Sequence, residues 1–551
     1  MLRNGQSIDE GAVVKTDVCI IGSGPAGVTA AWRLAQAGVK VTVIDGSREL
    51  DYQQHNYFKQ SWPDKVALYN GTYTDDPANL FPRNEPHFLI LPYNPPPNFQ
   101  HWDGSAWERE RVFGGTSTHW GGQSRPLDPI TFEKRTNFPG WPIDRADLDP
   151  FYAEAVKLMK LFGNYVGDGP DGNKVYGYNF SNDFWAETLK IDPKDVPELE
   201  NFETEMYQFV GASPDQNPLT NYKNFATRGF GAFGDQPISS PQSPVDVIVN
   251  ATLLDIVQDD DAGSVSSLRV ASLYDAPPGQ QKPPLKKYKE FKVQAKYYVL
   301  ACGAVANARQ LLLSKIGGPP DSTLVGRYFM CHPLSAVTAV YANQSDYLTE
   351  PQQWFMNARD PGARYEGWQG PNYETASARF IPSAEIARDK GIGRCWFWPN
   401  GGQYYFEMQP NPKSRITLSD EIEPVFNQPR TEIDWRLTPL DQQTYEKSTA
   451  LFEAAFNKLK FKPEYSVNFS KWEDVESQLI VNGHHIGTTR MGESADDGVV
   501  DRNLKVFDLD NLYVAGSSVF PTTGITNPTF TIITLSIRLG RHLANKFSDP
   551  G

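Results

Sequence analysis

The sequence predicts an α/β protein that combines a parallel sheet with a second, mostly antiparallel domain. Residues 16–45 show a strand, a glycine turn, a helix and a strand in succession, which is typical of a parallel sheet. Strand patterns of the same kind return at 297–304 and 511–516, whereas residues 328–478 carry mostly short, strand-like apolar periods. The 551 residues exceed one compact core, so two interleaved domains are expected.

The first glycine turn has the residues that a dinucleotide phosphate needs. Gly22 allows a tight turn, Gly24 lets the backbone approach a pyrophosphate, and Gly27 lets helix and strand pack closely. Asp45 follows Gly22 by 23 positions, where a carboxylate would hold ribose hydroxyls. The predicted phosphate-binding residues are Gly22, Ser23, Gly24, Ala26 and Gly27.

A second glycine-rich segment lies further along the chain. Two glycine pairs, Gly114-Gly115 and Gly121-Gly122, bracket a small hydroxylic run and a His-Trp pair. Such glycines permit close approach of the backbone to a planar ligand. The candidate cofactor-binding residues here are Gly114, Gly115, Ser117, Thr118, His119, Trp120 and Gly121.

The remaining patterns predict a surface excursion and several further elements. Residues 51–104 are rich in Pro, Asn and aromatics without a sustained period, which indicates a lid or an oligomer contact. A strand pair is expected at 245–249 and 251–257, with one helix of the second domain at 441–459. A C-terminal amphipathic helix is predicted over 529–546.

Composition and charge exclude several functional classes. The 52 Lys and Arg against 66 Asp and Glu give a net charge of −14, which argues against nucleic acid, anionic membranes and anionic substrates. A small neutral polyhydroxylated substrate fits this charge. Four cysteines without a close pair predict neither a disulfide framework nor a metal site. The polar N-terminus and the lack of a bilayer-spanning apolar run predict a soluble, cytoplasmic protein, with its oligomeric state open.

Two adjacent histidines, His484 and His485, precede a Gly487-Thr488 pair near the C-terminus. About forty residues later, Asn527 begins an Asn-Pro-Thr turn that opens the last helix. A neutral histidine is suited to accept a hydroxyl proton, because its ordinary pKa lies near neutrality. These residues are the candidates for alcohol chemistry.

With these motifs the chain resembles the glucose–methanol–choline (GMC) oxidoreductases, FAD-dependent flavoproteins that oxidise alcohols. The resemblance covers nearly the whole chain. It implies FAD as cofactor, a Rossmann-like FAD domain and a mostly antiparallel substrate domain, as in p-hydroxybenzoate hydroxylase. The motifs that carry it are 22–27, 114–115, 300–304, 326–327 with 332–333, 484–492 and 527–529.

The resemblance also implies roles for the site residues. His484, three residues before the Gly-Thr pair, would accept the hydroxyl proton, and Asn527 would donate a hydrogen bond to the alkoxide-like oxygen. His485 is expected to point away from the flavin. Further cofactor contacts are implied at Leu253, Gly516, Pro528 and Thr529.

The run Ser117 to Trp120 is similar to the pyranose oxidase branch of this family, which is related to the glycoside 3-oxidases. His119 would be bonded to a flavin methyl group, or would only pack on the ring. Gly121 departs from the threonine of that branch and leaves oxygen or a quinone-like acceptor open. The implied reaction is oxidation of a secondary hydroxyl, at carbon 2 or 3, of a pyranose or glycoside. The alternatives are a non-sugar alcohol, or a flavin-containing binding protein without turnover.

The predicted division of the chain has three parts. The FAD domain comprises 10–50, 105–155, 244–330 and 480–548. The substrate domain comprises 156–243 and 331–479, and the surface excursion comprises 51–104.

Overall fold

The structure is a computed structural model of the 551-residue chain. It describes residues 1–47, 91–92, 113–118, 122–159, 161, 163–168, 174–178, 192, 198–209, 238, 241–259, 261, 263–274, 288–319, 322–336, 375–398, 403–422, 425–456, 458, 469–476, 479 and 483–548. Most of the predicted excursion, as well as His119, Trp120 and Gly121, lies outside the described residues.

The strands and helices follow one another as the sequence patterns predict for an α/β protein. The strands are β1 Leu2–Asn4, β2 Val13–Lys15, β3 Val18–Ile21, β4 Val41–Ile44, β5 Leu91–Pro92, β6 Gln123–Ser124, β7 Gly163–Asp168, β8 Lys174–Tyr178, β9 Phe202–Phe209, β10 Val245–Val249, β11 Thr252–Gln258, β12 Val265–Leu273, β13 Tyr288–Gln294, β14 Tyr297–Leu300, β15 Leu334–Ala336, β16 Thr375–Pro382, β17 Cys395–Trp398, β18 Gln403–Phe406, β19 Arg415–Ile422, β20 Pro429–Asp434 and β21 Leu512–Val514. The α-helices are α1 Pro25–Gln36, α2 Pro129–Phe132, α3 Asp149–Met159, α4 Ala304–Leu313, α5 Ala384–Lys390, α6 Pro439–Phe456, α7 Trp472–Val475 and α8 Thr529–Ser548.

A six-stranded parallel sheet forms the centre of the molecule. Its order is β1-β10-β4-β3-β14-β21, and every neighbouring pair is parallel. All residues of β3 and β4 are buried, which explains why their sequences are apolar except for Thr42. In open parallel sheets ligands bind beyond the carboxyl ends of the strands. The predicted site residues Gly22, Asp45 and Gly516 lie at those ends.

A second six-stranded sheet, of order β15-β18-β17-β16-β9-β6, is antiparallel throughout. One of its faces packs against α6 through an apolar cluster that includes Phe397 and Phe452, whose rings stack 4.1 Å apart. Tyr207, Ile381 and Trp396 form a separate cluster with Ile525. Because Ile525 lies in the loop before α8, this cluster joins the sheet to the predicted catalytic turn.

Three smaller sheets complete the described part of the fold. One has the order β11-β12-β13-β2, another the order β19-β20-β5, and β7 pairs with β8 in a hairpin. The α/β fold class is confirmed. The short strand β5, Leu91–Pro92, is the described part of the predicted excursion and pairs with β20.

Both strands predicted in the middle of the chain form, and so does the predicted helix of the second domain, but the structure adds to each expectation. The predicted strand pair is split between sheets, since β10 joins the parallel sheet and β11 pairs with β12. Asn250, between them, has a left-handed φ of 51° that turns the chain. The region after Tyr328 holds the short helices α5 and α7 besides the predicted one. The sequence signal for α5 was present, because the Ser383 side chain caps its start and Gly391 ends it at φ 62°.

Candidate active site

The glycine turn after β3 forms an open cradle at the start of α1. Gly22 has φ +104°, and a Cβ on Gly27 would lie 2.0 Å from the Gly22 carbonyl oxygen, so helix and strand pack tightly. A Cβ on Gly24, by contrast, would meet nothing within 4 Å. Gly24 is the N-cap of α1 and places no side chain over the helix end. The open space and the free helix N-terminus suit a pyrophosphate.

Asp45, at the end of β4, closes one side of this cradle. Its carboxylate accepts the Ser23 N–H at 2.7 Å and the Ser47 N–H at 2.8 Å. The Ser47 hydroxyl is buried and, among the described residues, has no hydrogen-bond partner. A ribose would bring the hydroxyls that this position can bind.

The second glycine-rich segment packs directly on the first. The Gly114 N–H donates to Ser23 Oγ at 2.8 Å, and a Cβ on Gly115 would lie 3.3 Å from Gly24 Cα. Ser117 Oγ donates to the Gly114 carbonyl at 2.6 Å, which closes the turn Gly115–Thr118. The structure thus brings two predicted cofactor segments together.

The remaining cofactor candidates lie on other elements of the fold. The Leu253 carbonyl accepts a hydrogen bond from Gln310 at 3.3 Å. Gly516 follows β21 at φ +115°, beside the buried Asn307 amide, which donates to the Ala515 carbonyl at 3.1 Å. Pro528 and Thr529 open α8. The glycine cradle, the Asp45 carboxylate and the backbone at Gly516, which all follow strands of the parallel sheet, fit FAD.

His484 is held by a loop that is fixed on both sides. On one side Ile486 and Met330 exchange both backbone hydrogen bonds, at 2.9 and 3.0 Å. On the other, Ser517 Oγ donates to the His485 carbonyl at 2.6 Å. Gly487 has φ +92°, and a Cβ there would lie 2.3 Å from the Tyr328 carbonyl oxygen. The loop therefore requires glycine where the sequence has it.

Asn527 is held through the start of α8. Phe530 packs on Tyr152 of α3 with ring centroids 5.0 Å apart, and Thr531 Oγ1 lies 2.7 Å from the Tyr152 hydroxyl. Both contacts are buried, so the first turn of α8 is anchored and the preceding turn is fixed.

The two predicted catalytic residues meet. Asn527 Nδ2 lies 3.1 Å from His484 Nε2, while the other ring nitrogen, His484 Nδ1, lies 2.9 Å from His332 Nδ1. His332 Nε2 in turn lies 3.0 Å from the Gly524 carbonyl oxygen. The Asn527 Oδ1 atom is buried and has no partner among the described residues. A substrate or cofactor group could bind it.

Burial keeps the two hydrogen-bonded histidines, His484 and His332, uncharged. It lowers the pKa of His484 well below the ordinary value, and the neighbouring His332 and His485, whose positive charges would repel it, lower the pKa further. Burial also lowers the pKa of His332 to about 4, although the carbonyls of Gly524 and Thr523 raise it in part. At neutral pH His484 is therefore a neutral imidazole that can accept a proton.

His485 lies against Phe329, with ring centroids 5.4 Å apart, and is buried. Besides His332, the Tyr405 ring lies near His484, 6.4 Å away and nearly parallel, at 29°. Trp396 packs on Tyr405 at 4.2 Å. The antiparallel sheet thus places the Tyr405 ring beside the candidate base, with the buried Trp396 ring packed against Tyr405.

Sequence reasoning missed His332 as a site residue. It recognised His332-Pro333 only as part of a family motif, because the contact with His484 joins residues 152 positions apart. A histidine that lies fully buried in a polar network could have been suspected only if its partner were known. No periodic pattern signals such a contact.

Within the described residues, no helix is long and apolar enough to cross a membrane. No group of three or more His, Cys, Asp or Glu side chains in that part of the chain is arranged to hold a metal ion.

Comparisons with known proteins support the same interpretation. Residues 410–536 match the family model described as GMC oxidoreductase, and residues 16–75 match the model described as pyridine nucleotide-disulphide oxidoreductase. The 2-methyl-1,2-propanediol dehydrogenase of Mycolicibacterium austroafricanum is 22% identical, over 97% of this chain and 96% of its own length. A C-glycoside 3-oxidase of Microbacterium trichothecenolyticum is 29% identical over 24% of this chain and 25% of its own.

Among solved structures, pyridoxine 4-oxidase from Mesorbium loti is similar in fold, with a TM-score of 0.55 and 18% identity. The alignment covers 96% of this chain and 99% of that one. Matches of this kind, together with the glycine cradle, identify FAD as the cofactor. The C-terminal part of the chain, residues 410–536, thus matches the GMC oxidoreductases, the family that the sequence motifs resemble.

Proposed function

We propose that this protein oxidises alcohol CH–OH groups, and that its substrate is a pyranose sugar or glycoside. The hydroxyl oxidised would be a secondary ring hydroxyl at carbon 2 or carbon 3, and the product a keto-sugar. The observation that carries the proposal is the approach of Asn527 Nδ2 to His484 Nε2 at 3.1 Å. Both groups can bind one substrate oxygen.

His484 and Asn527 have complementary tasks in this reaction. Neutral His484 accepts the hydroxyl proton at Nε2, and Asn527 donates a hydrogen bond to the oxygen as it becomes alkoxide-like. FAD, when bound, supplies the acceptor for the hydride that leaves the same carbon. A base of this kind contributes about 10²–10⁴-fold to the rate, or roughly 3–5 kcal/mol. The proton then leaves His484 for solvent.

A neutral sugar suits the surroundings of His484. Tyr405 places an aromatic ring beside His484 against which the C–H face of a pyranose can pack, and the buried Trp396 ring supports Tyr405 from behind. The net charge of −14 disfavours anionic substrates. The similarity to a C-glycoside 3-oxidase supports a glycoside, although it covers a quarter of the chain.

A second candidate is oxidation of a non-sugar alcohol. It is favoured by the similarity to 2-methyl-1,2-propanediol dehydrogenase, which extends over 97% of this chain. A third, a flavin-containing binding protein without turnover, is opposed by the intact contact between His484 and Asn527. In either oxidation reaction, the electrons of the reduced flavin would pass to oxygen or to a quinone-like acceptor.

We also propose that His119 is bonded covalently to the flavin. The support is the run Ser117 to Trp120 in the sequence, since His119 lies outside the described residues. Acid-precipitated protein should stay yellow if the bond exists. Colourless precipitate with free flavin in the supernatant would contradict the bond, and His119→Ala serves as the non-covalent control.

The test of function is anaerobic mixing of the oxidised holoenzyme with a panel of pyranoses, glycosides and short diols. We expect a pyranose or glycoside to bleach the flavin, and NMR of the product should place the ketone at carbon 2 or 3. Bleaching by 1,2-propanediol alone would favour the second candidate. Bleaching by no alcohol would favour a binding protein. Readmission of oxygen or addition of a quinone then identifies the acceptor.

A further inference from the structure

We infer that His332 is a positioning residue, which determines the nitrogen of His484 that carries the proton and thereby keeps His484 Nε2 free to accept one from the substrate. The inference rests on the proposed function, in which His484 Nε2 is the base. His332 itself contacts neither the proposed substrate oxygen nor Asn527 in the described contacts.

The backbone sets the meeting of the two rings. Met330 and Ile486 form an antiparallel bridge, so the residues two positions along, His332 and His484, lie opposite one another. Their rings meet edge to face, with centroids 5.1 Å apart at 81°, and their Nδ1 atoms are 2.9 Å apart. His332 is buried, with 1% of its surface exposed. Main-chain hydrogen bonds between Met330 and Ile486 therefore fix the backbone positions from which the two histidine rings meet.

The ring protons of His332 and His484 can be assigned by elimination. The Gly524 carbonyl can only accept, so His332 Nε2, 3.0 Å away, carries a proton and donates. In neutral His332 the other nitrogen, Nδ1, is then bare and must accept. Across 2.9 Å the donor is consequently His484 Nδ1.

The assignment leaves the opposite nitrogen of His484 without a proton. Neutral His484 carries one ring proton, so Nε2 is unprotonated and its lone pair accepts from Asn527. The Asn527 amide must then present Nδ2, the donor, at 3.1 Å. The second N–H of Nδ2 remains for the substrate oxygen. The buried Gly524 carbonyl thus determines, through His332, which ring nitrogen of His484 carries the proton. It thereby also determines which way the Asn527 amide is turned.

Without His332 this order is lost. His484 could then carry its proton on Nε2, where it would point at the substrate oxygen instead of accepting from it. In the serine protease triad, fixing the tautomer of the catalytic histidine matters greatly, because the wrong tautomer cannot act as base. We expect the rate of flavin reduction to depend on the tautomer of His484 in the same way, but less strongly.

Two substitutions separate positioning from mere support. His332→Leu keeps side-chain bulk but removes the acceptor, whereas His332→Asn keeps an acceptor oxygen near the place of Nδ1. His542→Leu is the matched control, because it makes the same change on α8, where the ring lies 6.0 Å from Tyr513. FAD content and circular dichroism verify that each variant folds.

The first readout is independent of turnover. In holoenzyme labelled with ¹⁵N-histidine, ring shifts distinguish protonated from bare nitrogens, and the His484 signals are those missing in His484→Gln. We expect Nδ1 protonated and Nε2 bare in the wild type, in His332→Asn and in His542→Leu, with Nε2 at least partly protonated in His332→Leu. A protonated Nε2 in the wild type, or an unchanged pattern in His332→Leu, would overturn the inference.

The second readout is the rate of flavin reduction, with D-glucose and 1,2-propanediol as probes. His332→Leu should slow it about 10²-fold, and His332→Asn should recover most of that loss. Equal losses in both variants would mean a structural role only and would overturn the inference. If no alcohol reduces the wild-type flavin, the proposed function fails, while the nitrogen shifts still decide the proton assignment.

Discussion

Asn527 Nδ2 lies 3.1 Å from His484 Nε2, although 43 positions separate the two residues in the chain. Each is held by its own buried support. The loop of His484 is bonded through Ile486 to Met330, and the turn of Asn527 is fixed where Tyr152 packs on the start of α8. Because neither support needs a ligand, the pair is preorganised for one oxygen atom.

His484→Ala should lower the rate constant of flavin reduction by about 10²–10⁴-fold, because it removes the proton acceptor. Stopped-flow absorbance under anaerobic conditions measures this rate, with the sugar that bleaches the wild type. FAD should remain bound, since His484 is not one of the cradle residues. Unchanged reduction by substrate would show that the proposed mechanism is wrong.

His485→Ala provides the adjacent control. The His485 ring packs on Phe329, and its backbone carbonyl, which any residue retains, accepts the bond from Ser517. We expect flavin reduction within a few-fold of wild type and a loss of stability of about 2 kcal/mol or more from the cavity. A loss of rate as large as that of His484→Ala would exchange the roles of the two histidines.

The rate of flavin reduction by the substrate should be maintained in mildly acidic solution. Burial lowers the pKa of His484 well below its ordinary value, and the facing histidines His332 and His485 lower it further. Protonation of His484 abolishes its function as base, so the rate falls as the pH decreases through that lowered pKa. The acid limb of the profile for flavin reduction should therefore lie below pH 6.5, the ordinary value for histidine. A limb at or above pH 6.5 would contradict a buried neutral base.

The sequence predicted those elements that depend on residues close together in the chain. The buried strands β3 and β4 are apolar except for Thr42, and the glycines of the first turn have the spacing of a dinucleotide-binding turn. The Gly487-Thr488 pair selected His484 over His485 through the family motif. The pairing of His484 with Asn527 was expected for the same reason, and the geometry agrees with it.

What the sequence could not predict depends on distant contacts. The role of β10 depends on its pairing with β4, not on the adjacent β11. His332 gains its place from the bridge between Met330 and Ile486, which no local period encodes. Tyr405 lies beside His484, with Trp396 packed on it, because the antiparallel sheet packs there, which depends on tertiary structure.

Gly24→Ala should weaken FAD binding without unfolding the protein. Gly24 has φ −67°, which alanine adopts, and the added Cβ would meet no protein atom within 4 Å. It would instead extend into the cradle that we propose for the pyrophosphate of FAD. Gly263→Ala, a glycine with similarly open surroundings in a distant turn, is the control.

The FAD content after gel filtration and the melting temperature of the apoprotein measure the two effects separately. Gly24→Ala should retain less FAD while the apoprotein melts as the wild type does. Full FAD retention would mean that the pyrophosphate does not pass over Gly24. A lower melting temperature of the apoprotein would contradict the open surroundings.

Arg394→Met should destabilise the sheet that carries the aromatic surface. Arg394 is 1% exposed and precedes β17, and its Nη2 lies 3.0 Å from Asp128 Oδ2 and 3.7 Å from Glu205 Oε1. Burial raises the pKa of Asp128, but Arg394 and then Arg125 outweigh this, so the pKa is lowered and the carboxyl stays charged. Removing one partner of such a pair leaves an uncompensated buried charge, which costs about 3–5 kcal/mol.

Arg388→Met is the matched control for Arg394→Met. Arg388 pairs with Glu133 at 2.8 Å, but the two side chains are 49% and 43% exposed, so solvent screens the pair and its loss should cost at most about 1 kcal/mol. Urea unfolding followed by tryptophan fluorescence compares the two, because the midpoint shifts with the free energy of unfolding. Since Arg394 holds the start of the strand that bears Trp396, we also expect weaker sugar binding in that variant alone. Equal midpoints for both variants would mean that Arg125, 2.7 Å from Glu205, suffices to compensate the buried carboxylates.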